Sequence, residues 1–217
     1  MLPRNPLPVP FLLDPQTFAL DDVVSFCVAI LVAVLVNAEG QYLMAAFLGD
    51  TRPGAKDRLH FNAFLHLDLL GTLCFFVGGF GWPRKMQIDP EKFRGPRIYN
   101  VIARFGGSLG NFLMANIAAS AVWLFGTLSM DSRVFQMMAA VNLTQAVYNV
   151  LPIPPLAGAS ILPLLSTDKD NKFLPLLNQV GPFLLLAICL LGRISSWTWI
   201  SDALDPVVRY LYELIIG

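Results

Sequence analysis

The chain has 217 residues, 55% of them hydrophobic and only 14% charged, with 15 Lys+Arg balanced by 15 Asp+Glu. A soluble domain carries about 25% charged residues, so this composition excludes an ordinary water-soluble fold. Zero net charge and high apolar content also exclude a nucleic-acid-binding or disordered protein.

Residues 1–22 are proline-rich and place Asp14, Asp21 and Asp22 directly before the first apolar run. That is the wrong sign and order for a cleaved signal peptide, so they read as a retained arm, with Phe11, Leu12, Leu13 and Phe18 at the membrane surface. Five charge-poor windows follow, each near or above the roughly 18 to 20 residues that cross about 30 Å of hydrocarbon as a helix. Window 23–49 holds one charge, Glu39, and window 59–83 holds one, Asp68; windows 105–130, 134–167 and 173–192 hold none. The expected fold is an all-α integral membrane protein with a core of about five transmembrane helices over 23–192. Residues 193–217 set Trp199, Ile200, Leu204, Val208 and Leu211 against Asp202, Asp205, Arg209 and Glu213 at helical spacing. They read as an amphipathic helix lying in the interface rather than as a sixth span. Loop 84–104 carries six Lys/Arg, which places it in the cytoplasm. Cys27, Cys74 and Cys189 have neither zinc-ligand spacing nor a disulfide framework and read as small buried apolar residues.

Two windows carry polar groups at mid-membrane depth, where they need a reason. In the first, Asn37 and Gln41 are one helical turn apart on a single face, while Glu39 points about 200° away from Asn37. In the fourth, Asn149 precedes Pro152, Pro154 and Pro155, which remove backbone donors and break the helix. Within a bilayer such a break is tolerated only where protein buries it or it lines a cavity. The two windows are therefore expected to face each other, with Asn37 and Gln41 bonding to Asn149 and to carbonyls freed at 152–155.

These residues resemble the site-2 protease family of intramembrane zinc metalloproteases, in particular its short bacterial members. Those carry H-E-x-x-H on one transmembrane helix and N-x-x-P-x-P-P-L-D-G on a later one. Counting back from Leu48-Gly49-Asp50, which resembles the family's L-G-D, Asn37 falls on the first His, Ala38 on the Glu and Gln41 on the second His. The stretch N-A-F-L-H-L-D-L-L-G over 62–71 is similar to N-P-L-A-H-I-D-P-L-G. Gly81-Trp82 with Lys85 and Pro90 is similar to G-W-x-K-P-V, and Gly107 to Asn111 resembles G-P-L-x-N. Asn149 to Gly158 matches the last motif except that Ala157 replaces Asp. The resemblance implies a zinc ion held by two imidazoles and a carboxylate, with a Glu as general base. All four groups are replaced here, by Asn37, Ala38, Gln41 and Ala157, and amides are poor zinc ligands.

The expectation is thus a pseudoprotease: no catalytic residue, metal or cofactor, hence no enzyme. A polar cluster of Glu39, Asn149, Pro152, Pro154 and Pro155 would dock helices. The histidines, His60 and His66, lie in one segment and offer no pair with metal-ligand geometry to a second helix. Glu39 is expected to snorkel or to pair with a partner protein's group. Asp68 and His66 are expected to satisfy backbone at a re-entrant turn ending in Gly71. Asn142-Leu-Thr144 reads as a glycosylation acceptor placed inside a membrane run and is discarded. Glycines 78, 79 and 81 allow a bend or close helix approach. The function expected is a non-catalytic subunit scaffolding transmembrane helices of a larger bacterial inner-membrane complex, with membrane lipids and other transmembrane proteins as partners and no nucleic acid. The alternatives are an intramembrane protease with a noncanonical or borrowed metal site, and lipid or quinone binding in the vacated pocket.

Overall fold

A computed structural model describes residues 7–13, 19–50, 61–130, 132–165, 173–195 and 198–217. Phe18, Asp14 and His60 lie outside the described residues. Among these residues eight α-helices follow in order: α1 (Leu20–Phe47), α2 (Ala63–His66), α3 (Leu69–Gly78), α4 (Pro96–Thr127), α5 (Arg133–Tyr148), α6 (Leu162–Leu165), α7 (Phe173–Ile194) and α8 (Trp199–Ile216), with short 3-10 turns at Pro90–Lys92 and Ala157–Ile161. Among the described residues three helices are long and apolar enough to cross a membrane: α1, α4 from Arg97 to Thr127, and α7. Ile117, Trp123 and Phe183 are exposed on the latter two, as a lipid-facing surface requires.

Where five spans were expected, three candidates stand among the described residues, for local reasons. Window 59–83 is apolar enough to span, but Leu67 is extended and Asp68 caps a new helix, its Oδ1 accepting from Gly71 N at 2.8 Å. The resulting α3 has 10 residues, about 15 Å at 1.5 Å per residue. The chain then folds back, so that Leu67 bridges Pro83 and Trp82 Nε1 donates to Asp68 Oδ1 at 2.9 Å. In the fourth window, α5 has 16 residues, about 24 Å, and stops at Asn149 ahead of the prolines. The backbone doubles back there: Gly158 N donates to Asn149 O at 2.9 Å. A Cβ on Gly158 would lie 1.9 Å from Val150 O, so only glycine admits this approach.

The core forms where α1, α4 and α5 pack together. Gly40 and Gly106 make the α1–α4 crossing, since a Cβ on either would meet the other's carbonyl oxygen at 2.4–2.5 Å. Small residues let membrane helices approach this closely and gain dispersion contacts. At one end of the bundle, Arg133 clamps Asp22 through Nε and Nη2 at 2.9 and 3.2 Å, joining the starts of α5 and α1. The N-terminal segment is not a surface anchor at every apolar position. Leu7, Val9 and Phe11 are buried, and the Phe11 ring packs 5.1 Å from Phe26, because a proline-rich segment without helical hydrogen bonds can wedge its side chains between helices.

The C-terminal piece is helical as expected. α8 buries Ile200 and Val208 against the bundle, and Tyr148 Oη donates to Asp205. The cysteines are not all isolated: the Cys74 and Cys189 sulfurs sit 3.2 Å apart as free thiols between α3 and α7.

Candidate functional site

The two motif amides of α1 are built into a chain of hydrogen bonds. Asn37 is 1% exposed. Its Oδ1 accepts from Gln41 Nε2 at 2.9 Å, the contact that i, i+4 spacing allows, and its Nδ2 donates to Asn111 Oδ1 at 2.6 Å. Asn111, on α4, donates through Nδ2 to Ala33 O at 2.9 Å and to Asn142 Oδ1 at 3.0 Å. Asn142 in turn donates to Met138 O at 2.9 Å. At the other end Gln41 Oε1 accepts from Arg104 Nη1 at 3.0 Å, and Arg104 Nη2 donates to Met86 O at 3.2 Å. A continuous path thus runs from the loop at Met86 through Arg104, Gln41, Asn37 and Asn111 to the centre of α5. In a low-dielectric interior such a path costs little only when its members are satisfied.

Asn149 is 3% exposed. Its Nδ2 donates to Ser108 Oγ and its Oδ1 accepts from Ala157 N, both at 2.9 Å. One side chain therefore holds the proline-broken segment both to itself and to α4. Pro154 and Pro155 line a cavity of about 260 Å³ together with Gln41 and Asn149. The first and fourth windows do come together, but the expected direct bonds from Asn37 and Gln41 to Asn149 and the proline carbonyls do not form. Ser108 and Asn111 of α4 take those places, because the Gly40–Gly106 crossing brings α4 against the motif face of α1.

Glu39 lies on the other side of α1, as its helical angle requires. Its Oε1 is 3.4 Å from His66 Nε2, with the two side chains 8% and 7% exposed. The expectation that Glu39 snorkels or pairs with another protein is corrected: it meets an imidazole of its own chain. His66 O does satisfy backbone, accepting from Arg84 N at 2.7 Å, and Asp68 caps α3. Gln145 clamps the turn after α3, donating to Gly81 O at 2.8 Å and accepting from Gly81 N at 3.1 Å.

Arg104, Ser108, Asn111, Asn142 and Gln145 carry this site, and the sequence reading gave none of them a site role. Signals for them existed. Asn111 closes the G-P-L-x-N-like stretch, and Asn142 is a fully buried amide in an uncharged window. Both are mid-membrane polar groups of the kind that singled out Asn37.

At the α8 junction, burial is the larger influence on Asp205 and pushes its carboxyl above the usual carboxylate range, with the Tyr148 hydroxyl and Arg209 pulling the other way.

No family model and no solved structure matches the chain. It is 25% identical over 193 residues to a Bacillus subtilis (strain 168) protein named "Putative zinc metalloprotease YwhC", covering 84% of this chain and 88% of that protein. This likeness supports a site-2 protease-like family, and with the apolar helices it makes the chain a membrane protein. It also corrects the expectation that the chain is not an enzyme. The relative's name points to a protease, and four altered side chains do not cancel a likeness that runs through most of both chains.

The residues present do not fit the zinc in that name. The Asn37 and Gln41 amides are committed to one another, to Asn111 and to the Arg104 guanidinium. That guanidinium, already a cation, stands on the Gln41 oxygen, and Ala157 offers only a methyl group. Among the described residues no three His, Cys, Asp or Glu side chains gather into a metal-binding group.

Proposed function

We propose that this chain is a site-2 protease-like protein of the bacterial inner membrane that receives another protein's transmembrane segment in the cleft between α1, α4 and the broken segment 149–161. It would do so as a subunit of a larger membrane complex, with loop 84–104 on the cytoplasmic side, where its Lys/Arg excess belongs. The observation that carries the reading is the cavity bordered by Gln41, Asn149, Pro154 and Pro155. Proline leaves its neighbours' carbonyls without helical partners, and an incoming segment that is locally unwound can bond to side-chain amides and such carbonyls. Binding a segment is the first step of an intramembrane protease as well as the task of a scaffold, so the proposal is compatible with either outcome for the bound segment.

The test is site-specific photocrosslinking in native membranes from Ser160, which lines the cavity, with lipid-facing Trp123 as control. The expected result is a cross-link from position 160, and not from 123, to one transmembrane segment whose sequence is then read by mass spectrometry. Cross-links to lipid alone from both positions would refute the reading.

Proteolysis is the second reading, favoured by the relative's printed name. It requires a ligand set other than the four motif positions, supplied noncanonically or by a partner. Incubation of the protein in liposomes with model transmembrane substrates, with and without a zinc chelator, tests it directly.

A further inference from the structure

We infer that the mouth of this cleft is an anion site that takes a phosphate group, carried either by an anionic lipid or by free inorganic phosphate. Among the described residues the cavity is lined by three cations, Arg84, Lys85 and Arg104, and by no Asp or Glu. Asn100, Asn149 and Gln41 add neutral polar groups to the same wall. A concave wall that gathers positive charge and excludes negative charge focuses its field on the space it encloses.

Arg104 is the centre of the site. Its partners are two neutral carbonyl oxygens, those of Gln41 and Met86, and among the described residues no carboxylate answers its charge. A guanidinium has five N–H donors, so two bonds leave capacity for a planar fork onto an oxyanion. Arg84 and Lys85 are exposed and make no ion pair among the described residues.

The surroundings suit a phosphate at the membrane edge. Helix α4 has 32 residues and so extends about 48 Å, well beyond a hydrocarbon core of about 30 Å. Arg104, eight residues after Pro96, therefore sits near the end of α4 that carries Arg97. Ser160 and Asn178 also border the space, and Pro154, Pro155, Leu156 and Leu162 give it an apolar side. At about 260 Å³ the space is just below the usual range for small-molecule pockets, about 300 to 1,000 Å³. It suits a headgroup whose acyl chains stay in lipid. Basic pockets between membrane helices are the recognised form of headgroup site. The inference does not rest on the docking of a protein segment.

The test uses the full chain in neutral detergent. Its thermal unfolding midpoint is followed while phosphatidylglycerol, phosphatidylcholine or sodium phosphate is added at constant ionic strength, for the wild type and for Arg84→Gln/Lys85→Gln. The pair lies outside the Asn37–Asn111 network, so the variant folds; Arg104→Gln is a second variant. The expected result is a saturable rise with phosphatidylglycerol and none with phosphatidylcholine. The apparent affinity should fall about 25-fold in the double variant, at about fivefold per charge removed. A rise with phosphatidylglycerol alone assigns the lipid, and an equal rise with millimolar sodium phosphate, lost in the same variant, assigns the free ion. Equal responses to the two lipids, no response to either anion, or an unchanged affinity in Arg84→Gln/Lys85→Gln would overturn the inference. Because the cavity residues at 41, 149 and 160 are untouched in that variant, cross-linking from Ser160 reports separately on the docking reading.

Discussion

Asn111 is the residue through which three helices meet, and Asn111→Ala removes all of its bonds at once. The side chain is fully buried; it accepts from Asn37 and donates to Ala33 O and to Asn142. Hydrogen bonds in measured membrane bundles average about 0.6 kcal/mol each, so three lost bonds give about 2 kcal/mol, and the space left by the amide adds to that. Asn37→Ala removes two bonds and should cost about 1 kcal/mol on the same scale. The two variants share one bond, so the double variant should fall short of additivity by about 0.6 kcal/mol. Reversible unfolding in mixed micelles, titrated with a denaturing detergent, measures all three. A loss under about 0.5 kcal/mol for Asn111→Ala, or strict additivity of the pair, would refute the claim that the network carries bundle stability.

Gly106→Ala puts a Cβ 2.5 Å from Gly40 O and should destabilise by about 1–3 kcal/mol through overpacking. Gly126→Ala on the same helix meets nothing within 4 Å and should leave the unfolding midpoint unchanged or raised. His66→Leu removes the imidazole beside Glu39 and should lower stability more than Glu39→Gln with His66 intact; equal losses in micelle unfolding would contradict the pairing. The Asp205 carboxyl is raised above its ordinary 3.8. Its contribution to stability is therefore full below that value and is lost as pH rises through the elevated native one. Asp205→Asn keeps an acceptor for Tyr148 Oη and should flatten this part of the stability–pH curve, measured as melting midpoint against pH.

The polar logic of α1 was legible because helical geometry is local: i, i+4 spacing alone puts Asn37 over Gln41 and turns Glu39 away. The break after Asn149 was legible for the same kind of reason, since proline acts on its own backbone. The span count was not, because hydropathy records only how apolar a window is. Windows 59–83 and 134–167 are as apolar as spans, yet Asp68 caps one of them into a 10-residue helix and the other is interrupted at Asn149. The identities of the partners were also hidden. Whether Asn37 meets Asn149 or Asn111 depends on the crossing of α1 and α4, set by Gly40 against Gly106, 66 residues away in the chain. Glu39 and His66, or Cys74 and Cys189, are joined only once that packing exists.

The motif positions of α1 hold a hydrogen-bonded cluster of amides and a guanidinium in place of a metal-binding donor set. Zinc stoichiometry by mass spectrometry tests this on two purified proteins, the wild type and a variant carrying Asn37→His, Ala38→Glu, Gln41→His and Ala157→Asp. The expected result is about one zinc per chain in the variant, whose two new imidazoles and new Asp carboxylate supply three ligands and leave the fourth position to water, and none dependent on Asn37 or Gln41 in the wild type. One zinc per wild-type chain that is lost on Asn37→Ala/Gln41→Ala would contradict it.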